Sequence, residues 1–230
     1  MKLVLFSIVS HGQEKLVRKL IKSIDKFMSI NRYTLKIVIT ENLENDIDVS
    51  SEYYSIEKVV NSRKKGFGEN HNSAFELFKS DYFFVINPDI EFIHSFELDN
   101  LVTDLEKMRT DIGSPLIFNR SGNLEDYKRS DLTIINLLKR KIFKTKEKFD
   151  WFAGVFLVFK SSTFEELKGF DTKFFMYVED CDLCMRARKL GKNLNDLISL
   201  RVLHNAQRAS SYNINHLKWH ISSLVKYWLN

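Results

Sequence analysis

Residues 151–191 read WFAGVFLVFKSSTFEELKGFDTKFFMYVEDCDLCMRARKLG. The apolar run Val155–Phe159 has the look of a buried strand, and it leads into a short helix around Thr163–Leu167. A Gly169-Phe170-Asp171 turn follows, then an aromatic run through Tyr177, then a burst of acids. From Asp180 to Leu190, the residues Leu183, Ala187 and Leu190 fall at helical spacing with Cys184 on the same stripe, and Gly191 stands where a helix stops. Glu179 and Asp180 therefore open a helix, where the dipole favours ionised carboxylates. An ionised carboxylate at the mouth of a site can accept a proton from a hydroxyl, the role of a general base. The plainer reading is that Glu179, Asp180 and Asp182 only complement the dipole. The half-buried aromatic wall just before the acids favours a site.

Upstream of this stretch, strands and helices alternate. Leu3–Val9, Leu35–Ile39, Lys58–Val60 and Tyr82–Ile86 read as strands. Gln13–Met28 and Glu69–Lys79 read as helices. The alternation predicts an α/β fold with a mostly parallel central sheet flanked by helices. In such sheets ligands gather at the carboxyl ends of the strands. There stand Ser10 and His11, Glu41 and Asn42, and Asn87-Pro88-Asp89. The second half is less regular. It carries a helix over Glu97–Arg109, a strand over Gly113–Phe118 and a final amphipathic helix over Tyr212–Leu229 with Leu217, Ile221, Leu224, Val225 and Trp228. No repeat and no domain boundary interrupts 1–230, so one domain is expected.

With 230 residues, 44% of them hydrophobic, and only two prolines and eight glycines, the chain can bury one substantial core without long linkers. No apolar run approaches the roughly 20 residues that span a bilayer. KLVLFSIVSHG at the start reads as a buried first strand rather than a signal peptide. Cys181 and Cys184 form a CxxC with no second pair to complete a structural zinc site, so they read as thiols in a reduced cytosol. The net charge of +5 is uneven. Residues 128–148 hold eight Lys and Arg against Asp131 and Glu147, and from Arg201 onward there are four Lys and Arg and no acid. Leucines and isoleucines interleave the first of these segments. That favours an anionic membrane surface over nucleic acid, with a solvated loop covering the sheet as the equal alternative. His216 and His220 read as a surface pair, and Trp219, Tyr227 and Trp228 as packing either on the core or at lipid headgroups.

Gly154, Gly169-Phe170-Asp171, Phe175-Met176-Tyr177, Glu179-Asp180, Asp182-Leu183-Cys184 and Arg186 together resemble the acceptor and catalytic segment of glycosyltransferase family 2. These are inverting transferases of the GT-A fold, and the likeness is to their bacterial rhamnosyltransferase-like members. The resemblance implies that Asp180, beside Glu179, is the base that deprotonates the acceptor hydroxyl. Asn87-Pro88-Asp89 is similar to the family's DXD variant. It implies Asp89 as ligand to Mg²⁺ or Mn²⁺, with Asn87 replacing the first acid. Gly66-Phe67-Gly68-Glu69-Asn70-His71-Asn72 resembles the family's loop after the third strand. Its glycines permit close backbone approach and its helix start suits a phosphate; the alternative is a plain loop with a helix cap. The family's usual Asp-Asn is Glu41-Asn42 here, and its Thr-Tyr at the end of the first strand is Ser10-His11. His204 matches a late His that can complete the metal shell, with Arg208 nearby toward the diphosphate.

Donor contacts are thus expected at Ser10, His11, Glu41, Asn42, Gly66, Gly68, Asn72, Asn87 and Arg208. Acceptor contacts are expected at Trp151, Gly154, Phe175 and Tyr177, and metal contacts at Asp89 and His204. About 1–95 would form the donor-nucleotide half and about 96–230 the acceptor half. The implied activity is transfer of a sugar, first of all rhamnose from dTDP-rhamnose, from a nucleotide-diphosphate donor to a glycan or lipid-linked acceptor in cell-surface polysaccharide synthesis. The implied setting is cytoplasmic, with peripheral attachment at the inner face of the plasma membrane left open. Three alternatives stand beside it: a transferase for another nucleotide sugar such as a UDP-hexose, an inactive nucleotide-sugar-binding or membrane-docking protein, and a sugar-phosphate nucleotidyltransferase. The last lacks the expected Gly-rich basic loop directly after the first strand.

Overall fold

The computed structural model describes residues 1–42, 47–133, 149–205 and 214–229. In chain order the strands are β1 (Lys2–Ser10), β2 (Met28–Ser29), β3 (Tyr33–Glu41), β4 (Ser55–Val60), β5 (Tyr82–Ile86), β6 (Ile90–Phe92), β7 (Phe96–Glu97), β8 (Ile112–Phe118), β9 (Lys128–Arg129), β10 (Trp151–Phe152), β11 (Phe156–Lys160) and β12 (Leu194–His204). The helices are α1 (Glu14–Phe27), α2 (Phe67–Leu77), α3 (Leu98–Lys107), α4 (Ser161–Glu166), α5 (Glu179–Lys189) and α6 (Ile214–Trp228).

Eight strands form the central sheet in the order β4-β3-β1-β5-β11-β8-β12-β6. Neighbours from β4 to β5 are parallel, as are β8 and β12, whereas β11 runs against both its neighbours and β6 against β12. The expected mostly parallel sheet is present. Its central strands are buried on both faces: every residue of β5 is buried, as is β1 from Val4 to Ser10. This is why these strands read as unbroken apolar runs. On α1 the residues Val17, Leu20, Ile21 and Ile24 face inward, each such side chain contributing about 1.5–3 kcal/mol on burial.

Two elements differ from the sequence expectation. Strand β12 carries Asn195, Asp196 and Ser199 among its apolar residues, and its register shifts between Leu197 and Arg201. That break removes the period of two that marks a strand. Its last residues pair with β6, His204 opposite Ile90. The second difference is in α6. Its helix is as expected, but apart from Leu224 most of its apolar stripe faces outward. The face carrying His216, Trp219, His220, Ser223 and Tyr227 packs on the protein, while Leu217, Ile221, Val225 and Trp228 are exposed. Arg208 and nearly all of the basic segment, 134–148, lie outside the described residues.

An aromatic cluster holds the catalytic stretch to the sheet. Phe164 of α4 lies 4.8 Å from both Phe75 and Phe83 and 5.6 Å from Phe170 of the Gly-Phe-Asp turn. Phe170 in turn meets Phe67 of α2 edge-on at 5.7 Å. Such pairs add about 0.5–1.5 kcal/mol each beyond their burial.

Candidate active site

Helix α5 begins in a strained turn. Tyr177 and Val178 both have positive φ, 70° and 75°. For a β-branched residue like Val178 that region is an outlier, and such residues cost about 1–3 kcal/mol each. The surroundings fix the turn. Tyr177 Oη bonds His216 Nδ1 at 2.7 Å, and Ser223 Oγ donates to the Met176 carbonyl at 2.9 Å. The Phe67 amide donates to the Phe175 carbonyl at 2.9 Å. On the far side Arg186, held by Asp182 at 2.8 Å, donates to the carbonyls of Leu167 and Gly169 where α4 ends. Asp182 and Arg186 thus serve the scaffold.

The turn aims Asp180 outward and Glu179 inward. Asp180 is half-buried, with Oδ2 accepting the Gly154 amide and Oδ1 accepting the Cys181 amide, each at 2.8 Å. Gly154 is fitted to this contact: a Cβ there would lie 3.3 Å from the Phe67 ring and 3.4 Å from Asp180 Oδ2. Burial raises the Asp180 pKa, opposed by the two amides and by the charge of Arg129, whose guanidinium lies 5.4 Å over the Trp151 ring. Glu179 is 5% exposed and its Oε2 has no partner. Burial first, and then the charge of Asp180, push its pKa well above the ordinary value. The helix dipole does not keep both acids ionised, as the sequence suggests. Burial disfavours the charged form of both, and the larger push falls on Glu179.

Across the same edge lies a second acidic centre. The Asn87 amide donates to the Val155 carbonyl at 3.0 Å, so the end of β5 abuts the start of β11, next to Gly154. Two residues on, Asp89 Oδ2 stands 3.3 Å from His204 Nε2, and His204 Nδ1 meets Glu125 Oε2 at 2.7 Å. Asp89 Oδ1 is buried without a partner. Burial disfavours a charged imidazole, but hydrogen bonds and charges from Asp89 and Glu125 outweigh it, and the His204 pKa is raised. An orphaned carboxylate oxygen beside a histidine backed by a second carboxylate suits a divalent cation, since metal-bound histidines usually have such a partner behind them. Among the described residues no three His, Cys, Asp or Glu side chains converge to hold an ion by themselves. That fits Mg²⁺ or Mn²⁺, which Mg²⁺-type sites bind through one or two protein ligands with substrate phosphates and water completing the shell. The end of β5 is thus tied at Val155 beside Gly154, which holds Asp180, and Asp89 follows that end two residues later.

The donor-side residues divide. Ser10 Oγ accepts the Gln13 amide at 3.1 Å and so braces the start of α1. Asn42 is a buried junction: Oδ1 accepts from the Lys65 amide and Asn61, and Nδ2 reaches the Lys65 carbonyl and His11 Nδ1. It shapes the loop and orients His11. Desolvation and the charge of Lys64 lower the His11 pKa to about 4, so that ring is neutral. Glu41 is buried and accepts the Ile47 amide at 3.3 Å. The glycines of the loop approach protein. A Cβ on Gly66 would meet the Phe175 carbonyl oxygen at 2.4 Å, and one on Gly68 would meet Phe170 Cβ at 2.5 Å. Asn72 clamps the Phe170 backbone through both its amide atoms, at 2.8 and 2.9 Å. For Gly66, Gly68 and Asn72 the plain loop-and-cap reading describes the geometry.

On the acceptor side, Trp151 is 3% exposed and donates its indole N–H to the Ser130 carbonyl at 2.7 Å, so it is a core residue rather than a sugar platform. Phe175 stacks on Trp219 at 5.0 Å and Tyr177 meets His216 and His220, so the two histidines are not a free surface pair. Both cysteines are buried free thiols, and burial raises the Cys184 pKa to about 12. Sequence reasoning missed Glu125 and Arg129. Glu125 is 79 residues from His204, and no local pattern announces the pair. A cavity of about 390 Å³ lined by Ser29, Phe96, Glu97, Asn100 and Leu200 lies elsewhere and contains none of these residues.

The family model for glycosyl transferase family 2 matches residues 6–167. Rhamnosyltransferase WbbL of Escherichia coli strain K12 is 28% identical over 249 residues, covering 98% of this chain and 92% of that protein. N-acetylglucosaminyl-diphospho-decaprenol L-rhamnosyltransferase of Mycobacterium tuberculosis is 25% identical over 185 residues, and the match spans 71% of this chain but only 60% of that protein. The solved structure of mannosyltransferase PcManGT from Pyrobaculum calidifontis with GDP-Man and Mn²⁺ superposes with a TM-score of 0.68 at 14% identity, over 99% of this chain and 64% of that one.

Proposed function

This chain belongs to glycosyltransferase family 2 and has the GT-A fold, and from that premise we propose an inverting rhamnosyl transfer from dTDP-rhamnose to a lipid-linked glycan. The observation that carries the proposal is the Asp180 carboxylate, half-buried and held at both oxygens by backbone amides. The end of β5, from which Asp89 follows, is bonded to Val155 beside the Gly154 that holds Asp180. Asp180 takes the proton of the acceptor hydroxyl as that oxygen attacks the anomeric carbon, and the diphosphate leaves from the opposite face. Gly154 and Cys181 keep the carboxylate from rotating away, and Arg129 favours its charged form. Glu179, neutral beneath it, adds no second negative charge. A divalent cation on Asp89 and His204 would supply Lewis-acid stabilisation of the departing diphosphate. A double displacement would need a second carboxylate as nucleophile, and buried Glu179 does not offer one. The donor and acceptor classes follow the rhamnosyltransferase relatives, one of which is named for a diphospho-decaprenol acceptor. A lipid-borne acceptor in cell-surface polysaccharide synthesis would be met from the cytoplasm at the inner face of the plasma membrane. Among the described residues no helix is long and apolar enough to cross a membrane.

The test incubates purified protein and Mn²⁺ with dTDP-rhamnose and a panel of UDP- and GDP-sugars, with lipid-linked acceptor extract, and follows nucleotide release. Release from dTDP-rhamnose with an inverted anomeric product is expected. Asp180→Asn should lower turnover by about 10²–10⁴-fold while donor affinity stays. Release from no donor in the panel would leave a nucleotide-sugar-binding protein instead.

A further inference from the structure

Helix α6 is docked by the face that helices usually turn to water. His216, Trp219, His220, Ser223 and Tyr227 point inward, and Ser223 is its one buried residue. The opposite face carries Ile214, Leu217, Ile221, Val225 and Trp228 at spacings of three and four. They are 72, 55, 54, 45 and 42% exposed. At 3.6 residues per turn these side chains fall within a third of the circumference, along a helix about 22 Å long. Isolated exposed apolar residues are ordinary, but a continuous stripe marks an interaction surface.

We propose that this outward face of α6 docks on a bilayer containing anionic phospholipid. The charge around it selects that occupant. Lys218 lies beside the stripe next to Val225, the helix has no acidic residue, and none occurs from Arg201 to the end of the chain. An anionic headgroup layer complements this uncompensated positive charge. Trp228 donates its indole N–H to the Leu132 carbonyl, which anchors this end of α6 to the protein and leaves its ring partly exposed. Directly inside α6 are Tyr177 and Met176, which lead into Glu179 and Asp180. Docking through α6 therefore brings the base to the layer that carries a lipid-linked acceptor. In that last step the inference rests on the transferase reading and gives it a surface. The docking itself does not depend on turnover.

The test is flotation of the full-length chain with vesicles of phosphatidylcholine alone or of equimolar phosphatidylcholine and phosphatidylglycerol, without donor or metal. Sedimentation without vesicles and nucleotide release with a detergent-solubilised acceptor run in parallel. The wild-type protein should float with the anionic vesicles, less so as salt rises. Leu217→Ser with Ile221→Ser and Val225→Ser should lower partitioning at least about tenfold, because three half-exposed apolar side chains are removed from the lipid contact. Lys218→Gln should lower it about fivefold, on anionic vesicles only. Unchanged nucleotide release in all of these separates docking from chemistry. Equal flotation of the triple serine variant overturns the proposal. So does equal binding to neutral vesicles. A wild-type dimer that the triple variant dissociates, with no flotation, overturns it in favour of self-association. Docking without any nucleotide release would sink the transferase reading and leave this one standing.

Discussion

A carboxyl oxygen sealed from water with no partner, as Glu179 Oε2 is, belongs to an acid rather than an anion. Its folded-state pKa lies above the unfolded value near 4.5, because of burial and then the neighbouring charge of Asp180. The protonated form therefore contributes stability below the unfolded value, and that contribution is lost as pH rises through the folded one. Glu179→Gln removes the titration and keeps the shape. Its melting temperature should match wild type at low pH and exceed it increasingly above, in melts taken across the range. A constant offset between the two would show that Glu179 does not titrate in this window. Turnover near neutral pH should survive, since Gln resembles the protonated acid and Asp180 is untouched. At this scale Asp180 was legible, because acids opening a helix behind an aromatic wall form a local pattern. Glu125 and Arg129 were not, because their partners His204 and Asp180 are remote in sequence and no spacing rule links them.

Among the elements, α2 shows what local patterns leave out. GFGENHN reads as a loop entering a helix at Glu69, whereas α2 already begins at Phe67, and the sequence does not say what its glycines approach. Gly66 lies against backbone atoms of Phe175, with the nearest contact for a Cβ at 2.4 Å. Backbone cannot swing aside as a side chain can. Gly66→Ala should therefore break the hydrogen bond from the Phe67 amide to the Phe175 carbonyl and lower stability by about 1–3 kcal/mol, read as a urea midpoint. It should also lower turnover, since Phe175 leads into the turn that aims Asp180. Gly154→Ala provides the contrast, because its contacts of 3.3 and 3.4 Å are with side chains that can give. A stable Gly66→Ala would mean that α2 is free to shift. The same limit applies to β12 and α6. A bulge hid one from a period-of-two reading, and the apolar stripe of the other turned outward, since periodicity identifies an amphipathic helix without naming what its apolar side faces.

At the scale of the molecule, the segments 1–95 and 96–230 are interleaved rather than adjoined. β5 of the first half pairs with β11 of the second, and β6 crosses to the far edge to pair with β12. Asn72 holds the Phe170 backbone 98 residues away. Lys2 and Tyr82 both reach Glu106, at 2.9 and 2.6 Å. Neither half has a complete sheet without the other, so the chain should lose its structure in one step. The tryptophans make this measurable. Trp151, Trp219 and Trp228 all lie in the second half, so tryptophan fluorescence reports that half alone, while far-UV circular dichroism reports the whole sheet. In urea the two signals should share one midpoint and one slope. An earlier fluorescence transition would mean that 96–230 unfolds while β1, β3, β4 and β5 persist, making two units of what the strand order joins. Such a separation would also part Asp89, which follows β5, from Gly154 and the Asp180 it holds, because Asn87 meets Val155 only where β5 and β11 are paired.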